Sequence, residues 1–303
     1  MTVIEKAADA KDSDGAQNVR NAFEKAHEEG RGALIGYLMA GDPSVKYTPD
    51  LCKALIDGGI DILELGIPFS DPLADGPTIQ AAGIRSIEAG TSPADCMEIA
   101  LKIKQESHSS VPIVFLTYYN TIFHFGLAKF LFKARASGID GIIVPDLPQI
   151  GSSEFNRYIK AVKKNGLATI LLATATTNDK RLRSILKETK GFLYLVSLLG
   201  VTGVRKAVAK SEIDFGFIRH ASLIAHDHNS TNVPVAAGFG ISEPIHVQNV
   251  LKAGADGAIV GSALVNLVEK NLSDMTKARS ELEQFIHSFR EATYIGSKKP
   301  KKS

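Results

Sequence analysis

Eight short aliphatic runs recur along the sequence, divided by longer segments of helical periodicity, and few folds accommodate that alternation. The runs cover residues 33–39, 60–65, 111–117, 141–144, 168–173, 192–197, 233–237 and 257–260. Most begin about 25 residues apart, the length of a strand, a helix and two short loops. Repeated strand-helix units with right-handed crossovers build a parallel sheet, and eight of them close most naturally into a single (β/α)8 TIM barrel of the α/β class. A chain of 303 residues fits one such domain. A doubly wound open sheet competes, but it calls for a dinucleotide-binding fingerprint after an early strand, which the sequence lacks. Residues 19–29 predict an amphipathic helix, with Val19, Phe23 and Ala26 on one face and Gly30 closing it, suited to cover the bottom of a barrel. Insertions follow strand two, with helical segments at 78–88 and 93–106, and strand six, at 201–232; long connections usually carry function. Residues 263–292 read as the eighth outer helix with an extension. The expected organisation is a flexible segment over 1–17, the barrel over 18–293 and a basic tail over 294–303.

Charge and composition narrow the partners. A net charge of +2, with 22% charged and 44% hydrophobic residues, is that of a globular protein with no polyanion to bind, so no nucleic-acid partner is expected. Cys52 and Cys96 lack CxxC or metal-ligand spacing and read as small helix or core residues in a reducing compartment. Residues 1–16 are polar and acidic without the apolar core of a secretory signal, and no run approaches the ~18 apolar residues of a membrane span. The expected location is cytoplasmic, with no membrane partner. His220, His226 and His228 fall in a stretch that reads as a polar surface loop without further ligands, so no metal is expected.

The second run ends in LELGIPFSDPLADG, residues 63–76. Asp71 and Asp75 stand before proline and glycine, where aspartate forms turns in its own right. Glu64 has no such role. A carboxylate among Ile62, Leu63, Leu65 and Ile67 costs several kcal/mol unless it is paired, neutralised or put to work, which makes it the candidate acid-base group. The other candidate constellation binds phosphate. Gly238-Phe239-Gly240-Ile241-Ser242 follows strand seven, and Gly261-Ser262 follows strand eight and opens a helix. Glycine loops and helix N-termini present backbone amides to an anion, and barrels commonly hold phosphate there, so Gly240, Gly261 and Ser262 are the expected contacts.

LELGIPFSDPLADGPTIQ resembles the strand-two and loop-two segment of the tryptophan synthase alpha subunit family. GDP (41–43), YYN (118–120), GIIVPDLP (141–148), GVTG (200–203), GFGIS (238–242) and GS (261–262) stand in that family's order, so the resemblance covers roughly 18–293. It implies a lyase that cleaves indole-3-glycerol phosphate, a small phosphate ester, reversibly to indole and glyceraldehyde 3-phosphate. Glu64 would carry the proton transfers, and Asp75, by family position, would accept the indole N–H. Tyr194 aligns with a strand-six tyrosine beside the glutamate. Tyr37 and Leu116 would line the indole pocket, with tyrosine where the family more often has phenylalanine. Thr202 and Gly203 match a mobile loop that closes over substrate. The resemblance also implies a separate beta subunit carrying pyridoxal phosphate, an alpha2beta2 heterotetramer, and partner contacts at Pro68, Asp71, Asn120 and Pro148; the chain itself would hold no cofactor. Two positions depart from the pattern: Leu198 replaces a loop-six arginine, and Thr121 a frequent proline. A stand-alone lyase releasing free indole, or a weakly catalytic activating partner of the beta subunit, would carry the same motifs.

Overall fold

Successive side chains on a strand point to opposite faces, so each aliphatic run serves two cores at once when the sheet closes on itself. The computed structural model describes residues 14–107, 109–196, 213–227, 232–238 and 240–295. Its strands are β1 (Ala33–Met39), β2 (Ile62–Gly66), β3 (Ile113–Leu116), β4 (Ile139–Ile143), β5 (Ala168–Thr174), β6 (Leu193–Val196), β7 (Val235–Gly238) and β8 (Gly257–Val260). They pair in parallel in sequence order, and β8 returns to β1 to close the barrel. Leu34, Leu38, Leu63, Leu65 and Phe115 pack outward against the helices. Ile35, Tyr37, Ile62, Val114, Leu116, Ile170, Tyr194 and Ile259 form a separate interior cluster.

Helix α1 (Gly15–Glu28) belongs to that interior cluster through Ala16, Val19, Phe23 and Ala26, and the Phe23 ring lies 5.5 Å from that of Phe192. It closes the bottom of the barrel as its apolar face predicts. It starts at Gly15 rather than residue 19, inside the stretch read as flexible, because the Asp14 side chain accepts the Ala16 N–H and caps it. The outer helices are α2 (Thr48–Gly58), α3 (Pro77–Glu88), α4 (Pro93–Ser107), α5 (Tyr119–Phe125), α6 (Leu127–Ala136), α7 (Ser153–Lys164), α8 (Asp179–Glu188), α9 (Phe215–Ala225), α10 (Pro244–Lys252), α11 (Ser262–Lys270) and α12 (Met275–Ala292).

Among the departures from the sequence-based expectation, three have identifiable reasons. Strand β4 begins two residues earlier because Asp140, polar in an apolar run, is satisfied: its carboxylate accepts from Asn18, Lys104 and the Ile113 amide at 2.7, 3.1 and 3.0 Å. The stretch read as the eighth outer helix with an extension, over 263–292, is two helices, since the Asp274 side chain accepts the Lys277 N–H at 3.0 Å and starts α12 afresh. Residues 213–227, expected within a polar loop, include α9, whose Phe217, Ile218, Ala221 and Ile224 are buried. Cys52 and Cys96 are buried free thiols in α2 and α4.

The bottom is fastened by charge as well as by packing. Arg31 is 3% exposed and donates from both terminal nitrogens to Asp61 at 2.7 and 2.8 Å. Asp61 also accepts from the Leu34 amide at 2.8 Å and from Arg290 of α12 at 2.9 Å. Breaking such a group from one side strands a buried cation. Asp61→Ala is expected to lower unfolding free energy by about 3–5 kcal/mol, read as an earlier midpoint in urea, while ligand binding at the opposite end of the barrel is unchanged.

Candidate active site

Strand β2 delivers Glu64 to the interior. Its parity is that of Ile62 and Gly66, and its register neighbours are Tyr37 on β1 and Val114 on β3. The sequence-adjacent Leu63, Leu65 and Ile67 face the outer helices, so they are not what surrounds the carboxyl. The interior layer buries it instead: Glu64 is 1% exposed, and its Oε2 has no hydrogen-bond partner among the described residues. Burial, and secondarily the nearby Asp75, raise its pKa from 4.5 to about 8.

Asp75 closes a turn in the β2–α3 loop, where its N–H meets the Pro72 carbonyl at 3.0 Å, and Gly76 caps α3 directly after it. Burial raises its pKa from 3.8 to about 6, and a hydrogen bond from Tyr118 opposes that rise. The two acids are therefore poised differently at neutral pH, with Glu64 protonated and Asp75 ionised. Tyr37 and Tyr194 flank them. Each phenol is held neutral by burial first, and by the two carboxyls after it. Room for the rings comes from glycine: a Cβ on Gly66 would collide with the Tyr37 ring, and one on Gly238 with that of Tyr194.

Glu64, Asp75, Tyr37, Leu116 and Tyr194 line one cavity of about 880 Å³, together with Gly240, Gly261 and Ser262. Gly240 has φ +75°, a conformation open to glycine, and Ser262 starts α11. Backbone amides here suit an oxyanion. An outer brace joins two helices whose first turns line the cavity. Arg85 of α3 donates to both Asp42 oxygens at 2.8 and 2.9 Å and to Glu269 of α11 at 2.9 Å.

The expected partner contacts lie outside the cavity lining. Asp71 and Asn120 are exposed and Pro148 is half-buried, but Pro68 is buried within the chain and presents little surface of its own. Thr202, Gly203 and Leu198 lie outside the described residues, as do Gly200 and His228. His220 and His226 pair with Asp179 and Asp256 at 2.8 and 3.0 Å, and no three potential metal ligands come together among the described residues.

Several lining residues were not singled out from sequence: Ile213 and Phe215 near the start of α9, His246 and Asn249 on α10, and Asn266 on α11. Their signal was weak because each sits in an ordinary helical or loop pattern. His246 Nδ1 accepts the Ser242 N–H at 3.2 Å and steadies the glycine loop. Tyr118, present in the YYN motif but given no role, is buried; its hydroxyl accepts the Ala74 N–H at 3.1 Å and its ring stacks on Phe69 at 5.0 Å.

Comparison with known proteins places this geometry among relatives. The profile of a family described as tryptophan synthase alpha chain matches residues 23–294. The tryptophan synthase alpha chain of Methanoregula boonei is 44% identical over 265 residues, 88% of this chain and 95% of that protein. That of Methanopyrus kandleri is 42% identical over 274 residues, covering 90% and 94% of the two chains. A solved structure of the tryptophan synthase A-subunit from Pyrococcus furiosus superposes with a TM-score of 0.74 at 38% identity, over 86% of this chain and 98% of that one.

The raised acid has a thermodynamic signature. A carboxyl whose folded pKa exceeds its unfolded value binds more protons folded than unfolded, so stability falls as pH rises from about 4.5 to about 8 and is unaffected below that window. Glu64→Gln stays neutral throughout. It is expected to gain on the wild type by up to about 1.4 kcal/mol per pH unit across the window, measured by urea unfolding at pH 5 and pH 8; an identical difference at both pH values would contradict the burial argument.

Proposed function

Since the chain belongs to the tryptophan synthase alpha chain family, we propose that Glu64 and Asp75 divide the chemistry of its reaction between them. The enzyme is a carbon-carbon lyase that cleaves indole-3-glycerol phosphate reversibly to indole and glyceraldehyde 3-phosphate. The observation that carries the assignment is the pairing, in one cavity, of a neutral buried acid with an ionised one. Protonated Glu64 delivers its proton to indole carbon 3, and the ring nitrogen becomes electron-poor. The Asp75 carboxylate accepts the indole N–H and stabilises that charge. Glu64, now a carboxylate, takes the proton of the hydroxyl on the carbon attached to the ring; the O–H electrons form the aldehyde, and the carbon-carbon bond electrons return to the indole. Glu64 ends protonated, ready for another turn.

Gly240, Gly261 and Ser262 hold the phosphate, and Tyr37, Leu116 and Tyr194 enclose the aromatic half; their common cavity supports this division. Tyr194 backs Glu64 within that cavity. No cofactor is required in this chain, since pyridoxal phosphate belongs to the beta subunit of the family's complex. A structure of the tryptophan synthase a2b2 complex from Pyrococcus furiosus is similar to this chain at 37% identity and a TM-score of 0.73. The beta subunit meets the loop-two and loop-three face around Asp71, Asn120 and Pro148, a reading supported by Leu73 and Phe123, which are 95% and 67% exposed there. No described helix is long and apolar enough to cross a membrane. Two reduced, buried cysteines fit a cytoplasmic setting.

Indole release by the purified chain, with and without beta subunit, tests the assignment. Glu64→Gln should lower kcat by roughly 10²–10⁴-fold while glycerol phosphate binding, followed by calorimetry, is retained; near wild-type turnover would remove Glu64 from its role. In the active chain kcat/KM should be bell-shaped, with an acid limb near pH 6 from Asp75 and an alkaline limb near pH 8 from Glu64. Asp75→Asn should retain only the alkaline limb.

A further inference from the structure

We propose that Tyr118 is a positioning residue for Asp75, its hydroxyl clamped by the Ala74 amide and its ring by Phe69 so that the O–H meets the Asp75 carboxylate. The inference rests on the role assigned to Asp75 above. Tyr118 stands between β3 and α5 and is 3% exposed, so its ring is held from the barrel side. The other two contacts come from the catalytic loop itself. Phe69 stacks on it at 5.0 Å, and the Ala74 N–H reaches its oxygen at 3.1 Å.

The donor and acceptor inventory gives the clamp a direction. A tyrosine hydroxyl has one proton and accepts through oxygen lone pairs; the Ala74 amide occupies a lone pair, which leaves the proton for a neighbouring acceptor. The carboxylate of Asp75 is that acceptor, one residue along the loop. A hydrogen bond donated to the charged form favours it, which counters burial and keeps Asp75 ionised near neutrality. The other ionisable groups around the pair are Glu64 on β2, Tyr37 on β1, Tyr194 on β6 and Asp146 beyond β4. None of them is a cation, so among the described groups Tyr118 supplies the stabilising proton.

Tyr118→Phe tests this in the full chain, because it removes one oxygen and keeps the ring on Phe69. A ¹³C carboxyl titration should show the Asp75 midpoint moving up by about one unit, and the acid limb of kcat/KM should move with it while KM at pH 8 changes little. Tyr118→Leu, which also loses the stacking, should lower kcat further. A midpoint that stays in place in Tyr118→Phe would overturn the proposal whatever the activity does. If the midpoint moves but Asp75→Asn keeps its acid limb, Tyr118 still holds Asp75 and it is the catalytic reading of Asp75 that fails.

Discussion

Withdrawing the Glu64 carboxyl from water beside a second acid sets the charge state of the whole site. In solvent both groups would be ionised at neutral pH and neither would have a proton to give. The interior layer of Tyr37, Leu116 and Tyr194 changes that by disfavouring charge at Glu64, while Asp75, with a phenol to lean on, stays ionised. One loop and one strand thereby present an acid and an anion to the same small volume. Catalysis of a proton-in, proton-out cleavage needs little more than this asymmetry, provided the substrate is anchored at its other end.

The cost of burying such a group falls on the rest of the fold. The mouth of the barrel holds a buried carboxyl oxygen with no hydrogen-bond partner among the described residues, which costs stability once the group is charged. The bottom compensates. There α1 fills the interior with Phe23 against Phe192, and the group formed by Arg31, Asp61, Glu29 and Arg290 ties the first two strands to the last helix. Stability and reactivity are thus assigned to opposite ends of the same strands, as barrels generally arrange them.

Much of this was legible in the residues themselves. The eight runs gave the barrel because aliphatic periodicity reports burial directly. Glu64 stood out because a carboxylate has no cheap reason to lie in such a run. The wrong part was its surroundings: Leu63 and Leu65 are neighbours in sequence but face the other way, and the groups that bury Glu64 come from other strands, β1, β3 and β6 among them. Tyr118 was hidden for the same reason, since its partners lie some forty residues earlier. Asp140 concealed the start of β4 because its partners come from α1, α4 and the first residue of β3, which no local pattern reveals. Helix α9 was masked by the polar residues around it, although Phe217, Ile218, Ala221 and Ile224 keep helical spacing.

The Arg85 brace moors two helices that both open onto the site. It joins α3, which follows Asp75, to α11, whose first turn faces the phosphate end, and it does so from outside the cavity. Arg85 and Glu269 both lie in the last turns of their helices, so two helices whose first turns line the cavity are moored to each other at the ends away from it, by a guanidinium that does not line it.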